Sequence, residues 1–128
     1  MAYSKINLAD VKDDAAEYGI GDFQESKFPQ NDLGAETTGF AYHRIKPGQR
    51  TPFSHRHHQA EEIHLVVRGS GLAVLDDEGV ELAEMDLLRL SPGVTRTFEA
   101  GPDGLEYLVF GPHHAQDGEV VGGDAPGS

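Results

Sequence analysis

The chain has 128 residues, 22 acidic against 10 basic side chains, a formal net charge of −12 and no cysteine. That length is the size of one domain with its own core, so we expect a single domain over residues 1–128. The acidic surface argues against nucleic acid as a partner, and the missing cysteines exclude thiolate metal sites, disulfides and thiol nucleophiles. No apolar run is long enough to span a membrane. The opening residues lack the basic start and apolar centre of a signal peptide, which points to a cytoplasmic protein.

Residues 7–18, NLADVKDDAAEY, carry a helical pattern. Asn7 is a possible cap, and Leu8, Val11 and Ala15 fall at helical spacing. Gly19-Ile20-Gly21 ends the pattern. Residues 22–38 are polar and mixed, with weak strand character around Phe28. After Gly39 the chain breaks into short strands, near 39–46, 52–57, 62–68, 71–76, 80–83, 86–90, 95–99 and 105–111. Between them stand turn residues such as Pro47-Gly48, Gly69, Asp76-Asp77-Glu78-Gly79, Ser91-Pro92-Gly93 and Gly101-Pro102-Asp103-Gly104. About eight strands with no long helix imply an all-β antiparallel sandwich or barrel. The segment 113–128 is Gly-rich and polar and reads as a loose tail.

The stretch SHRHHQAEEIHLVVRG, residues 54–69, holds four of the chain's seven histidines and two adjacent glutamates. Side chains two apart on a strand share a face. His55 and His57 therefore point one way and His58 the other. Glu62, His64 and Val66 share a face of the next strand, and Glu61 is out of phase. If the two strands are neighbours, His55, His57 and Glu62 form a 2-His-1-carboxylate set suited to Fe(II), Mn(II), Ni(II) or Zn(II) with open positions. The competing reading is a polar rim that binds nothing.

These residues resemble the first motif of the cupin family, a Gly, then HxH, then Glu, then Gly. Here they are Gly48, His55, His57, Glu62 and Gly69. The intervals from His57 to Glu62 and from Glu62 to Gly69 match the family's, while Gly48 to His55 is one residue longer. The second motif, an acidic turn followed by Pro-Gly and a histidine three residues on, is met by Asp86, Pro92 and Gly93. The ligand position itself is Arg96, which is always charged and is not a metal ligand. The resemblance covers roughly residues 39–111. It implies a double-stranded β-helix (jelly-roll) barrel with its core over about 39–112, a short N-terminal helical extension, and a homodimer paired through an outer sheet.

Two functions follow. In the first, His55, His57 and Glu62 hold a divalent metal, and Arg96 orients a small anionic substrate for oxygenase, isomerase or lyase chemistry. In the second, a metal-free cupin binds or senses a small ligand, with Arg96 replacing the fourth metal ligand. Arg96 itself has three outcomes: pairing inward with Glu62, offering its fork to an anion, or pointing to solvent. His64 is a substitute ligand, a substrate-binding group or a barrel-lining residue. Tyr42, His43 and Arg44 sit on an early strand whose inward parity the pattern leaves open. His113 and His114 read as exposed loop residues.

Overall fold

Asn7 caps a helix as its position predicts, accepting the Ala9 amide through Oδ1 at 2.9 Å, but that helix lasts one 3-10 turn, Leu8–Asp10. The longer helix expected over residues 7–18 fails because Asp13 offers the backbone a rival partner. Its Oδ1 accepts from the amides of Ala15 and Ser26, each at 2.9 Å. The segment is tied to a strand instead, and Val11, Ala15 and Ile20 are buried from irregular chain. The computed structural model describes residues 2–114 and 117–123.

The strands are β1 Gln24–Lys27, β2 Thr38–Ile45, β3 Phe53–His57, β4 Glu62–Leu75, β5 Glu78–Leu82, β6 Leu87–Leu90, β7 Arg96–Pro112 and β8 Gly118–Gly123, with one short helix, α1, at Gln30–Leu33. Every pairing is antiparallel. The path runs β1-β2-β7-β3-β8, and β4 pairs with β5, β6 and β7. The two pairs of strands expected at 62–68 with 71–76 and at 95–99 with 105–111 are each one long bent strand. Bulges between Val66 and Arg68 and between Gly69 and Gly71 make the bend in β4, and such bulges curl a sheet toward closure. Gly69 has φ +82°, and a Cβ there would stand 2.0 Å from the Gly104 carbonyl oxygen, so only glycine lets the backbones of β4 and β7 approach so closely.

The core packs Ile45, Val66, Phe98, Leu105, Tyr107 and Val109 between the curled faces. Asp76 and Asp77 both have positive φ, the conformation of a tight hairpin turn between β4 and β5, as the DDEG stretch implies. A correction concerns the expected tail: residues 118–123 form β8, which pairs along β3 from Phe53 to His57. Its glycines disguised it, since glycine lowers strand propensity. The rest of the expected tail, residues 115, 116 and 124–128, lies outside the described residues. No helix among the described residues is long and apolar enough to cross a membrane.

Candidate functional site

Strands β3, β4 and β7 bring the histidine–glutamate residues together. His57 Nε2 lies 3.4 Å from Glu62 Oε2. Glu62 Oε1 accepts from Arg96 Nη1 at 3.2 Å and lies 3.9 Å from His64 Nε2. The His55 ring meets the His57 ring edge to face, with centroids 5.4 Å apart. His55 is the cross-strand partner of Arg96, so both side chains leave the sheet on the same face. His58 points away as its parity predicts, pairing at the surface with Glu119 at 3.0 Å.

Arg96 is wholly buried, 0 % exposed. It takes the inward outcome and joins Glu62. This bears on two expectations. The first concerns the metal. A guanidinium has no lone pair to donate, and its charge opposes a second cation at the same carboxylate. Among the described residues no three His, Asp or Glu side chains are arranged to hold an ion. An ion held by His55, His57 and Glu62 would have to share the Glu62 carboxylate with the Arg96 guanidinium. The second concerns the anionic substrate: Arg96 lies behind the cavity wall and is not among the residues that line it. Its Nε and Nη2 have no hydrogen-bond partner among the described residues, and the same is true of His64 Nδ1.

His64 is 4 % exposed and stacks on Phe98, with centroids 5.2 Å apart, and on Tyr107 at 5.8 Å. It lines the cavity as an aromatic plate. Burial lowers its pKa well below the ordinary imidazole value, helped by the charge of Arg96. Burial, then Arg96, also depress His55, to about 3. Burial raises the Glu62 carboxyl, and the attraction of His57 and Arg96 works against that rise.

Asp117 is a site residue that the sequence concealed. It belongs to the segment read as a tail, where an Asp before Gly marks only a turn. Its carboxylate accepts the amides of Gln59 and Ala60 at 2.9 and 3.0 Å, and its Oδ2 lies 3.5 Å from His57 Nδ1. Burial pushes this carboxyl up, but the backbone donors and His57 outweigh it and hold it below the usual range. The result is a chain of paired groups, Asp117–His57–Glu62–Arg96, along one wall.

The cavity has a volume of about 550 Å³, within the range of small-molecule sites. Aromatic rings from Tyr18, Phe28, Phe40, Phe53, Phe98 and Tyr107 supply much of its surface. Another wall carries a second polar group that the sequence did not mark. Gln24 and Ser26 face inward from β1, and His43 stands opposite Ser26 on β2. Ser26 Oγ lies 2.8 Å from His43 Nδ1 and accepts from Gln24 Nε2 at 2.8 Å, and Thr51 Oγ1 donates to Gln24 Oε1. Strand β1 is polar on both parities, so no alternation betrayed its inward side. Burial lowers the pKa of His43 to about 4.

No curated protein sequence matches the chain. Among solved structures, the chain is similar to a cupin protein from Bacteroides fragilis, at 22% identity and TM-score 0.72 over 98% of this chain and 92% of that one. It is similar also to the polyketide cyclase RemF from Streptomyces resistomycificus, at 21% identity and TM-score 0.77 over 95% and 87%. A sugar phosphate isomerase of the cupin superfamily from Silicibacter pomeroyi matches at 20% identity and TM-score 0.71 over 86% and 76%. At these identities the likeness is one of fold. The family model of the AraC-like ligand-binding domain matches residues 38–124. This match spans both cupin motifs, β8 and most of the cavity wall, and supports a small-molecule-binding role. The chain belongs to the AraC-like ligand-binding domain family and has the cupin fold.

Proposed function

We propose that this chain is a metal-free cupin that binds a small, neutral, largely apolar molecule in its barrel. The observation that carries this reading is the Arg96–Glu62 pair: a buried guanidinium at the position of the family's fourth ligand, bonded to the carboxylate that a metal would need. Pairing also balances the charge of Glu62 from within the protein. The neighbouring imidazoles are neutral at pH 7 where burial has lowered them. A cavity of aromatic rings and neutral polar groups favours a neutral ligand over an anion.

Elemental analysis tests this on protein purified without chelators or metal-affinity resin and incubated with iron, manganese, nickel and zinc. The expected result is no stoichiometric metal in the native chain and one metal per chain in Arg96→His, which supplies the missing imidazole. One metal per native chain, lost in His57→Ala, overturns the proposal. That outcome supports the second reading, in which His55, His57 and Glu62 hold a divalent ion for oxygenase, isomerase or lyase chemistry. Its supporting observation is the 3.4 Å approach of His57 Nε2 to Glu62 Oε2, a separation that two ligands of one ion would also have.

We further propose a homodimer. Ile63, Leu87 and Phe110 are exposed side by side on the outer face of β4, β6 and β7, and an exposed apolar face of this kind suits a second copy. Light scattering that gives a monomer at micromolar concentration would remove this element.

A further inference from the structure

His43 is held by a relay whose donors and acceptors can be counted. Thr51 Oγ1 donates to Gln24 Oε1, Gln24 Nε2 donates to Ser26 Oγ, and the Ser26 hydroxyl is then free to donate to His43 Nδ1. In this order every hydroxyl proton of the relay has an acceptor. The reverse order leaves the Thr51 hydroxyl proton with no acceptor among the described residues. Gln24 and Ser26 are 3 % and 1 % exposed, so their bonds are not exchanged for water. An imidazole that accepts at Nδ1 carries its proton at Nε2. His43 lines the cavity, and its Nε2 has no protein partner among the described residues. Around it stand Phe28, edge to face at 5.6 Å, and Tyr107, tilted at 5.2 Å.

We infer that the Thr51–Gln24–Ser26 relay locks His43 as a neutral Nε2–H donor, and that this N–H recognises an acceptor oxygen, such as a carbonyl, on a flat apolar ligand. This rests on the cavity-binding reading above and deepens it, because it names the polar feature by which the ligand is oriented. His43 is then a specificity residue, and Ser26 and Gln24 position it. Hydrogen bonds of this kind discriminate mainly against a ligand that lacks the acceptor, since the buried donor is left unpaired.

The first readout needs no ligand. Long-range proton–nitrogen correlation on histidine-labelled protein at pH 7 is expected to show His43 protonated at Nε2 and bare at Nδ1, with the two tautomers mixed in Ser26→Ala. Protonation at Nδ1 in the native chain overturns the inference. The second readout compares 2-acetylnaphthalene with 2-ethylnaphthalene, nearly equal in shape but with and without a carbonyl. The ketone should bind the native chain at least about threefold more tightly, and the preference should vanish in His43→Phe and shrink in Ser26→Ala. Ser26→Ala carries the test if His43→Phe does not fold. Equal binding of both probes overturns the inference and leaves the cavity reading standing. Binding of neither probe sinks the cavity reading and the inference with it.

Discussion

Two walls of the same cavity carry polar groups, and they are organised in opposite ways. On β3, β4 and β7 the chain Asp117–His57–Glu62–Arg96 is ionic and closes on itself: the carboxylate of Glu62 is shared between a histidine and an arginine from neighbouring strands. On β1 and β2 the chain Thr51–Gln24–Ser26–His43 is neutral and ends at a ring nitrogen in the cavity. The first wall carries the recognisable motif, yet its strongest groups face one another. The second carries no motif, yet it leaves a donor free. The motif residues thus meet one another, while His43, on a strand without a motif, keeps its Nε2 turned to the cavity without a partner among the described residues.

The largest expected effect comes from breaking the ionic wall. Arg96→Met should lower folding stability by about 3 kcal/mol or more, since it leaves Glu62 inside without its cation. Chemical denaturation measures this. The double variant Arg96→Met with Glu62→Gln should recover much of the loss, because removing both charges avoids the unpaired one; a double variant as unstable as the single would mean that Arg96 matters through packing.

Acid tests both walls at once. His43 and His55 have folded-state pKa values of about 4 and about 3, below the ordinary 6.5. Between these values the unfolded chain binds protons that the folded chain does not. Stability from these groups is complete above about pH 6.5 and is lost as pH falls through 4 and then 3. Each group contributes a slope of about 1.4 kcal/mol per pH unit inside its window. A stability curve flat from pH 7 to 4 would show that neither ring is held neutral.

Ser26→Ala removes the middle of the neutral wall and should cost about 1 kcal/mol in a thermal melt, the scale of one hydrogen bond. It should leave the Arg96–Glu62 wall intact, so its cost should add to that of Arg96→Met; strong non-additivity would join the two walls energetically. The smallest effect is expected at the surface. Glu119 faces both Arg56 and His58 at 3.0 Å at the surface, and Glu119→Gln should change stability by less than about 1 kcal/mol.

Much of the barrel and half of the site can be read along the chain. The Gly/Pro turns and alternating strands predict an all-β fold because those residue types set backbone conformation locally. The parity of His55 with His57, and of Glu62 with His64, follows from strand geometry, and the structure keeps both relations. The helix over 7–18 failed where one side chain, Asp13, bonded two distant amides. The loose tail expected over 118–123 became strand β8 because pairing with β3 overrode a glycine-rich composition. Asp117 and Gln24 carried no local signal: Asp117 accepts the Ala60 amide 57 residues away, and Gln24 accepts from Thr51, 27 residues away along the chain.

By itself the sequence determined the all-β class, the faces of the motif strands and the presence of an arginine where the family places a histidine. All of these depend on residue type and short spacing. Only the tertiary structure decided where Arg96 goes. Its direction depends on β7 lying beside β3, which sets it opposite His55, and on β4 delivering Glu62 within 3.2 Å. The same holds for His43, whose partner Ser26 comes from a strand with no pattern of its own and becomes legible only once β1 pairs with β2. Long-range pairing brings such groups together, and no local rule encodes it.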